Sequence, residues 1–223
     1  AASYLFHSAR ISQTIQGARS VLDLGCGPAT QLSQIAQLNP DIQFTGIDLS
    51  PTMLADAEAH VRNLGLKNVR FIEGDISTLE KVGDASMDGV ISTMALHHLP
   101  KLELLANTFK SVRRVLAPGA AVYLTDFGRL KSLKSVIFFA YMNARYQPHL
   151  FSLDYERSLR AAFLKEEFET LASQFLPTGI KVHSTFKVPF LVIVKSVDRG
   201  LTDGLRTQIA QLYRDLRPRY RRD

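Results

Sequence analysis

Cysteine is nearly absent from this chain: Cys26 is the only one in 223 residues. No disulfide can close within these residues and no thiolate zinc cluster can form, so the expected setting is a reducing cytoplasm. Long uncharged runs are missing too. The most apolar stretch, residues 136–142, falls far short of the roughly 18 residues that span a bilayer and is flanked by lysines and an arginine. The chain opens without an initiator methionine or a charged-then-apolar leader, which reads as a trimmed start rather than a signal peptide. No repeat or low-complexity tract is seen.

What is there is an ordinary globular composition, 46% hydrophobic and 22% charged, in a length suited to one α/β domain with an insertion. The formal net charge is +6, and residues 212–223 hold five arginines against two aspartates. Such a tail attracts RNA or an anionic membrane, or is simply the solvated end of a helix.

Apolar patterning predicts strands over residues 20–24, 43–47, 68–72, 87–91 and 120–124, with helices over 5–18, 30–38 and 52–64 and another opening at Pro100. Ser50 and Pro51 suit the start of the third helix: serine accepts an orphan N–H, and proline has no donor to lose. Ala117-Pro118-Gly119 predicts a turn into the fifth strand. This alternation implies a doubly wound, mostly parallel sheet of seven strands with a helical insertion after strand 5.

Residues 126–162 are too long for a simple βα connection. They are expected to form a lid over the carboxyl edge of the sheet, helical over 133–146 and looser over 148–154. A helix over 163–175, an antiparallel strand pair over 181–186 and 189–194, and a helix over 202–216 complete the single domain. Residues 200–223 are its terminal helix and basic tail.

The functional signal is densest over residues 21–30, VLDLGCGPAT. An apolar strand that opens into closely spaced glycines and then a helix brings bare backbone and a partial positive charge against a ligand. A dinucleotide fingerprint wants a third glycine where Thr30 stands, which weakens a nicotinamide oxidoreductase reading. Asp23, a carboxylate near the end of a buried strand, needs a reason: a cation held there, or the loop's own N–H groups. Asp48 closes the second strand, and Glu73-Gly74-Asp75 follows the third.

The Asp-Leu-Gly-Cys-Gly-Pro-Ala-Thr wording, Asp48 followed by Ser-Pro-Thr-Met-Leu, Phe71-Ile-Glu-Gly-Asp-Ile and Asp88-Gly-Val-Ile-Ser-Thr-Met-Ala-Leu-His-His-Leu resemble the successive motifs of class I S-adenosylmethionine-dependent methyltransferases. The match covers residues 20–125 and looks like the small-molecule and quinone-type group. It implies that S-adenosylmethionine binds and leaves as S-adenosylhomocysteine. In the roles it carries over, Asp23 meets the methionine ammonium, and Gly25, Cys26 and Gly27 form the loop at the cofactor, with Cys26 otherwise a small packing residue. Asp48 accepts the ribose hydroxyls, with Leu49 also among the cofactor-binding residues. Met53 lies against the adenine face, Asp75 and Ile76 meet the adenine edge, and Thr93 stands where relatives commonly carry asparagine.

His98 is the candidate proton acceptor, with His97 beside it, because imidazole titrates near neutrality; packing alone is the other reading. Methyl transfer can also rest on placement of the nucleophile alone. Arg129, Arg145, Arg157 and Arg160 would suit an anionic acceptor, and Phe138, Phe139 and Tyr141 an apolar one, unless they are solvated face and core. No metal site is expected. The alternatives to a small-molecule methyltransferase are an RNA-binding methyltransferase or module using the basic tail, and a non-catalytic cofactor binder.

Overall fold

Val21, Leu22 and Leu24 are fully buried, the pattern of a strand covered on both faces. In the computed structural model, which describes residues 2–185 and 190–216, they form β1 (Ser20–Leu24), an interior strand of the sheet. β2 (Gln43–Asp48) pairs with it on one side and β4 (Met87–Thr93) on the other, both parallel. β3 (Val69–Glu73), β5 (Leu116–Phe127), β6 (Lys181–Ser184) and β7 (Leu191–Lys195) complete the order β3-β2-β1-β4-β5-β7-β6. Only β7 runs against its neighbours, pairing antiparallel with β5 and β6.

α1 (Ala2–Thr14), α2 (Thr30–Leu38) and α3 (Pro51–Asn63) cover one face through Ile11, Leu32, Ile35, Ala57 and Val61. α4 (Leu102–Val115) and α7 (Lys165–Phe175) cover the other through Leu105, Phe109, Val112 and Phe168. α8 (Asp203–Leu216) packs Leu205 and Ile209 on Leu38. Connections leave β1 and β4 toward opposite edges of the sheet, so their carboxyl ends flank a crevice open to ligand.

Several expectations are corrected. The first helix spans residues 2–14, not 5–18: Leu5, His7 and Ser8 are buried, while Gly17 at φ +77° breaks the chain before the strand. Residues 117–119 are not a turn between elements but a bulge inside β5, where the register to β4 jumps between Met87 and Gly89. The fourth and fifth strands run on to Thr93 and Phe127. Asp126 therefore belongs to the sheet and not to the insertion.

The stretch 148–154 is helical, opening α6 (His149–Ala161). Pro148 stands at its N-cap, and Phe151, Tyr155 and Leu159 recur at every fourth residue, a helical period. Before it come α5 (Leu133–Tyr141) and a 3₁₀ turn, Ala144–Tyr146. Parts of the expected strand pair at 186–189 and of the basic tail at 217–223 lie outside the described residues.

Candidate active site

The turn after β1 is shaped by backbone conformations that suit glycine. Gly25 has φ +66° and Gly27 φ +50°, and a Cβ on Gly25 would fall inside contact distance of Ala95. Ile47 of β2 accepts the N–H groups of both Gly25 (2.8 Å) and Cys26 (3.1 Å). The turn is thereby fastened to the neighbouring strand tip. Ala29 is left-handed at φ 58° with no side-chain cap on α2, so the first N–H groups of that helix take no cap from this side chain.

Asp48 completes the clamp. One oxygen accepts the Gly27 N–H and the other the Ser50 N–H, each at 2.9 Å. Ser50 in turn caps α3 by accepting from Met53 N–H. Asp75, just past β3, accepts the Ser77 N–H with one oxygen at 2.7 Å, and no donor among the described residues meets its other oxygen. Both carboxylates line a cavity of about 990 Å³, at the upper end of the range for small-molecule sites.

Gly25, Cys26, Gly27, Asp48, Leu49, Met53, Asp75, Ile76, Thr93 and His98 all line this cavity. Asp23 does not. It sits one layer behind the turn, paired with Gly46 and Ile91 in the sheet and 3% exposed. The loop N–H groups go to Ile47 and Asp48, and no hydrogen-bond donor among the described residues reaches the Asp23 carboxylate. Burial, with the Asp48 charge second, pushes its pKa up to about 8. Burial and the same two carboxylates hold the Cys26 thiol well above its ordinary value.

Opposite the turn, the 3₁₀ turn Leu96–His98 is bolted to β5. Asp126 accepts the His97 backbone N–H (2.9 Å) and meets its Nδ1 (2.6 Å). The His97 ring lies 4.2 Å from that of His98, which faces the cavity. Burial, then the neighbouring His97, lowers the His98 pKa, against the pull of Asp126, Asp154 and Asp48. His98 is thereby held neutral at neutral pH.

Beyond His98 the walls are aromatic. Phe127 stands 5.4 Å from Tyr155 of α6 and 5.8 Å from Phe190, ring centre to ring centre. Phe151 joins them, so the segment after β5 contributes one side of the cavity. Its arginines do not: Arg129 donates to Ala162 carbonyl oxygen, Arg160 pairs with Glu156, and Arg145 stands over the Tyr146 ring. No arginine or lysine among the described residues lines the cavity. Phe138 is largely exposed, while Phe139 and Tyr141 pack on the small cluster around Leu130, Val136 and Leu159.

Residues that sequence reading did not reach also line the cavity. His7, from α1, is linked by Nδ1 to Tyr123 Oη at 3.2 Å, and its pKa is lowered by burial. Met94 occupies a left-handed conformation at φ 56°, a strain that clusters at functional sites. Thr125 is 1% exposed, and its Oγ1, fully enclosed, is hydrogen-bonded by none of the described residues. Among the described residues no three His, Cys, Asp or Glu side chains gather as a metal site. No described helix is long and apolar enough to cross a membrane.

A family model described as a methyltransferase domain matches residues 15–175. An arsenite methyltransferase of Halobacterium salinarum is 34% identical over 108 residues, 48% of this chain and 27% of that protein. A trans-aconitate 2-methyltransferase of Deinococcus radiodurans is 40% identical over 94 residues, 42% of this chain and 33% of that protein. The matched stretches thus span about a third or less of these relatives. Among solved structures, a SAM dependent methyltransferase from Aquifex aeolicus superposes with a TM-score of 0.60 at 18% identity, covering 86% of this chain and 89% of that one. Phosphoethanolamine N-methyltransferase 2 of Haemonchus contortus, solved with S-adenosyl-L-methionine, gives 0.63 at 21%, covering 82% and 38%. Identities this low establish the shared fold.

Proposed function

Since the chain belongs to the class I S-adenosylmethionine-dependent methyltransferase family, we propose that it moves a methyl group from S-adenosylmethionine to a nucleophilic atom of a small-molecule acceptor. S-adenosylhomocysteine is the other product. The observation that carries this reading is the arrangement of one cavity: a glycine turn clamped by Asp48, a second carboxylate at Asp75, and the buried, unpartnered Asp23 behind the turn.

These residues suit the cofactor. Asp48 is fixed in place by two N–H groups yet keeps lone pairs for the ribose hydroxyls, and Asp75 has an oxygen for the adenine amino group. Ile76 and Met53 offer apolar surface to a flat purine. Asp23 favours a positive charge nearby, since a cation restores its ionised form. When bound, S-adenosylmethionine supplies a methyl group on a positively charged sulfur, ready to pass to a nucleophile placed in line.

The chain's own part is then to place the acceptor and receive a proton. A ring nitrogen of His98, neutral at neutral pH, takes the proton of a hydroxyl or amine as it becomes bonded to the methyl group. His97, gripped by Asp126, fixes the ring against which His98 rests. The segment carrying α5 and α6 acts as the lid at this end, excluding water through Phe151 and Tyr155.

The acceptors named for the two relatives fit this cavity poorly. Trivalent arsenic favours several thiolates, and this chain has one thiol, held protonated. A tricarboxylate needs cations, and no lysine or arginine of the described residues lines the cavity. A single cysteine also fits a reducing compartment such as the cytoplasm.

Titration calorimetry with S-adenosylmethionine and S-adenosylhomocysteine tests the reading. Micromolar binding of both, with nicotinamide dinucleotides giving no heat, is expected. Dinucleotide binding with neither sulfur compound bound would overturn it.

A further inference from the structure

We infer that the acceptor is an uncharged, flat molecule with a hydroxyl-type group that Thr125 Oγ1 holds, which makes Thr125 a specificity-determining residue. This rests on the methyl-transfer reading above. Thr125 lines the cavity, and its buried Oγ1 is hydrogen-bonded by none of the described residues. Buried polar groups are satisfied in the great majority of cases, and an exception calls for an explanation. A ligand atom provides one.

The sheet says which ligand. Asp48 and Asp75 stand at the β2 and β3 side of the glycine turn, whereas Thr125 lies two strands away from it in the opposite direction, on β5. Thr93 is its partner in register on β4, and Phe127, two residues on, shares its face. Thr125 therefore belongs to the acceptor end, with the aromatic walls and His98.

Among the described residues the same end lacks counter-charge. Asp48 and Asp75 are the carboxylates among those that line the cavity, and no described lysine or arginine joins them. A carboxylate or phosphate entering past Phe127, Tyr155 and Phe190 would shed its water with nothing to replace it. A neutral aromatic molecule loses little there. Its polar positions are then met twice, by His98 where the proton leaves and by Thr125 where a second hydroxyl or carbonyl sits.

Calorimetry with saturating S-adenosylhomocysteine tests this, using 2,3-dihydroxynaphthalene, 2-naphthol and 2-naphthoate as probes. Wild type is expected to bind the diol tightest and the naphthoate weakest. Thr125→Val, which keeps the shape and removes the hydroxyl, weakens diol binding by roughly 2- to 12-fold, the size of one hydrogen bond. It leaves S-adenosylhomocysteine affinity unchanged and raises the melting temperature of the free protein, and Thr125→Ser restores the diol affinity. Naphthoate binding as tight as the diol, no diol binding, an unaltered diol affinity in the valine variant, or weaker S-adenosylhomocysteine binding in that variant would each overturn the inference. Failure of wild type to bind S-adenosylhomocysteine would instead remove the reading beneath it, and this inference with it.

Discussion

The Nδ1 atom of His97 lies 2.6 Å from Oδ1 of Asp126, and the other carboxylate oxygen takes the His97 main-chain N–H. One side chain thus holds both the ring and the backbone of the turn that carries His98. Both residues are buried, at 5% and 1% exposure, so neither contact competes with water.

Asp126→Ala leaves two buried donors of His97 without an acceptor. The expected loss of stability is about 2–4 kcal/mol, read from urea unfolding of the variant and the parent. Loss of catalytic rate should accompany it even at temperatures where the variant is fully folded. A loss below about 0.5 kcal/mol would show that the pair does not anchor the turn.

His98 titrates below its ordinary value of about 6.5. It is neutral and able to accept a proton above that range and becomes charged as pH falls. The rate under limiting acceptor should therefore be level through neutral pH and fall on the acid side, below pH 6.5. His98→Asn should lower kcat by roughly 10²-fold or more, the usual contribution of a positioned base, and abolish the acid limb. An unchanged pH profile in that variant would leave placement alone as the source of rate.

Asp23 works in the opposite direction from a salt-bridged carboxylate. Its folded pKa of about 8 exceeds the unfolded value of about 4, so between those pH values the unfolded chain gives up a proton that the folded chain keeps. The free protein should lose stability as pH rises through that window and change little from this group above it. Asp23→Asn should stabilise the free protein at pH 8 by on the order of a few kcal/mol, with little difference at pH 4. Binding of a cation beside Asp23 lowers its pKa, so S-adenosylmethionine should release a proton at pH 7. Calorimetry in buffers of different ionisation heat measures that proton, which the asparagine variant should not show.

Asp48→Ala should weaken S-adenosylmethionine binding by about 1–3 kcal/mol, the scale of a hydrogen bond to a charged group. The direct loss is compounded because Gly27 N–H also loses its acceptor. Equal affinity in the variant and the parent would remove Asp48 from the site.

The half of the site built on local chain was legible in the sequence. β1 and α2 fall at the expected residues because buried apolar runs there are bounded by Gly25 and by Asn39-Pro40. Asp48 and Asp75 likewise follow at once from the strands that precede them. The acceptor half is assembled from distant parts of the chain: His7 from α1, Thr125 from β5, Tyr155 from α6, and Phe190 beside β7. No spacing links these, since strand pairing across some 65 residues brings Phe190 to Phe127. One signal was available: Thr125-Asp126 ends an apolar strand run, and the question asked of Asp23 applied equally there. The opening of α6 is hidden in the sequence because Pro148, which stands at a helix start, also reads as a breaker.

The burial of Cys26 has a bearing on the enzyme's own survival. A sulfonium compound alkylates soft nucleophiles, and a free thiolate beside it would be the first to react. Desolvation and two flanking carboxylates keep this sulfur protonated, and so unreactive. With S-adenosylmethionine at the proposed glycine turn, the protein would lodge an alkylating reagent against its lone thiol without methylating itself.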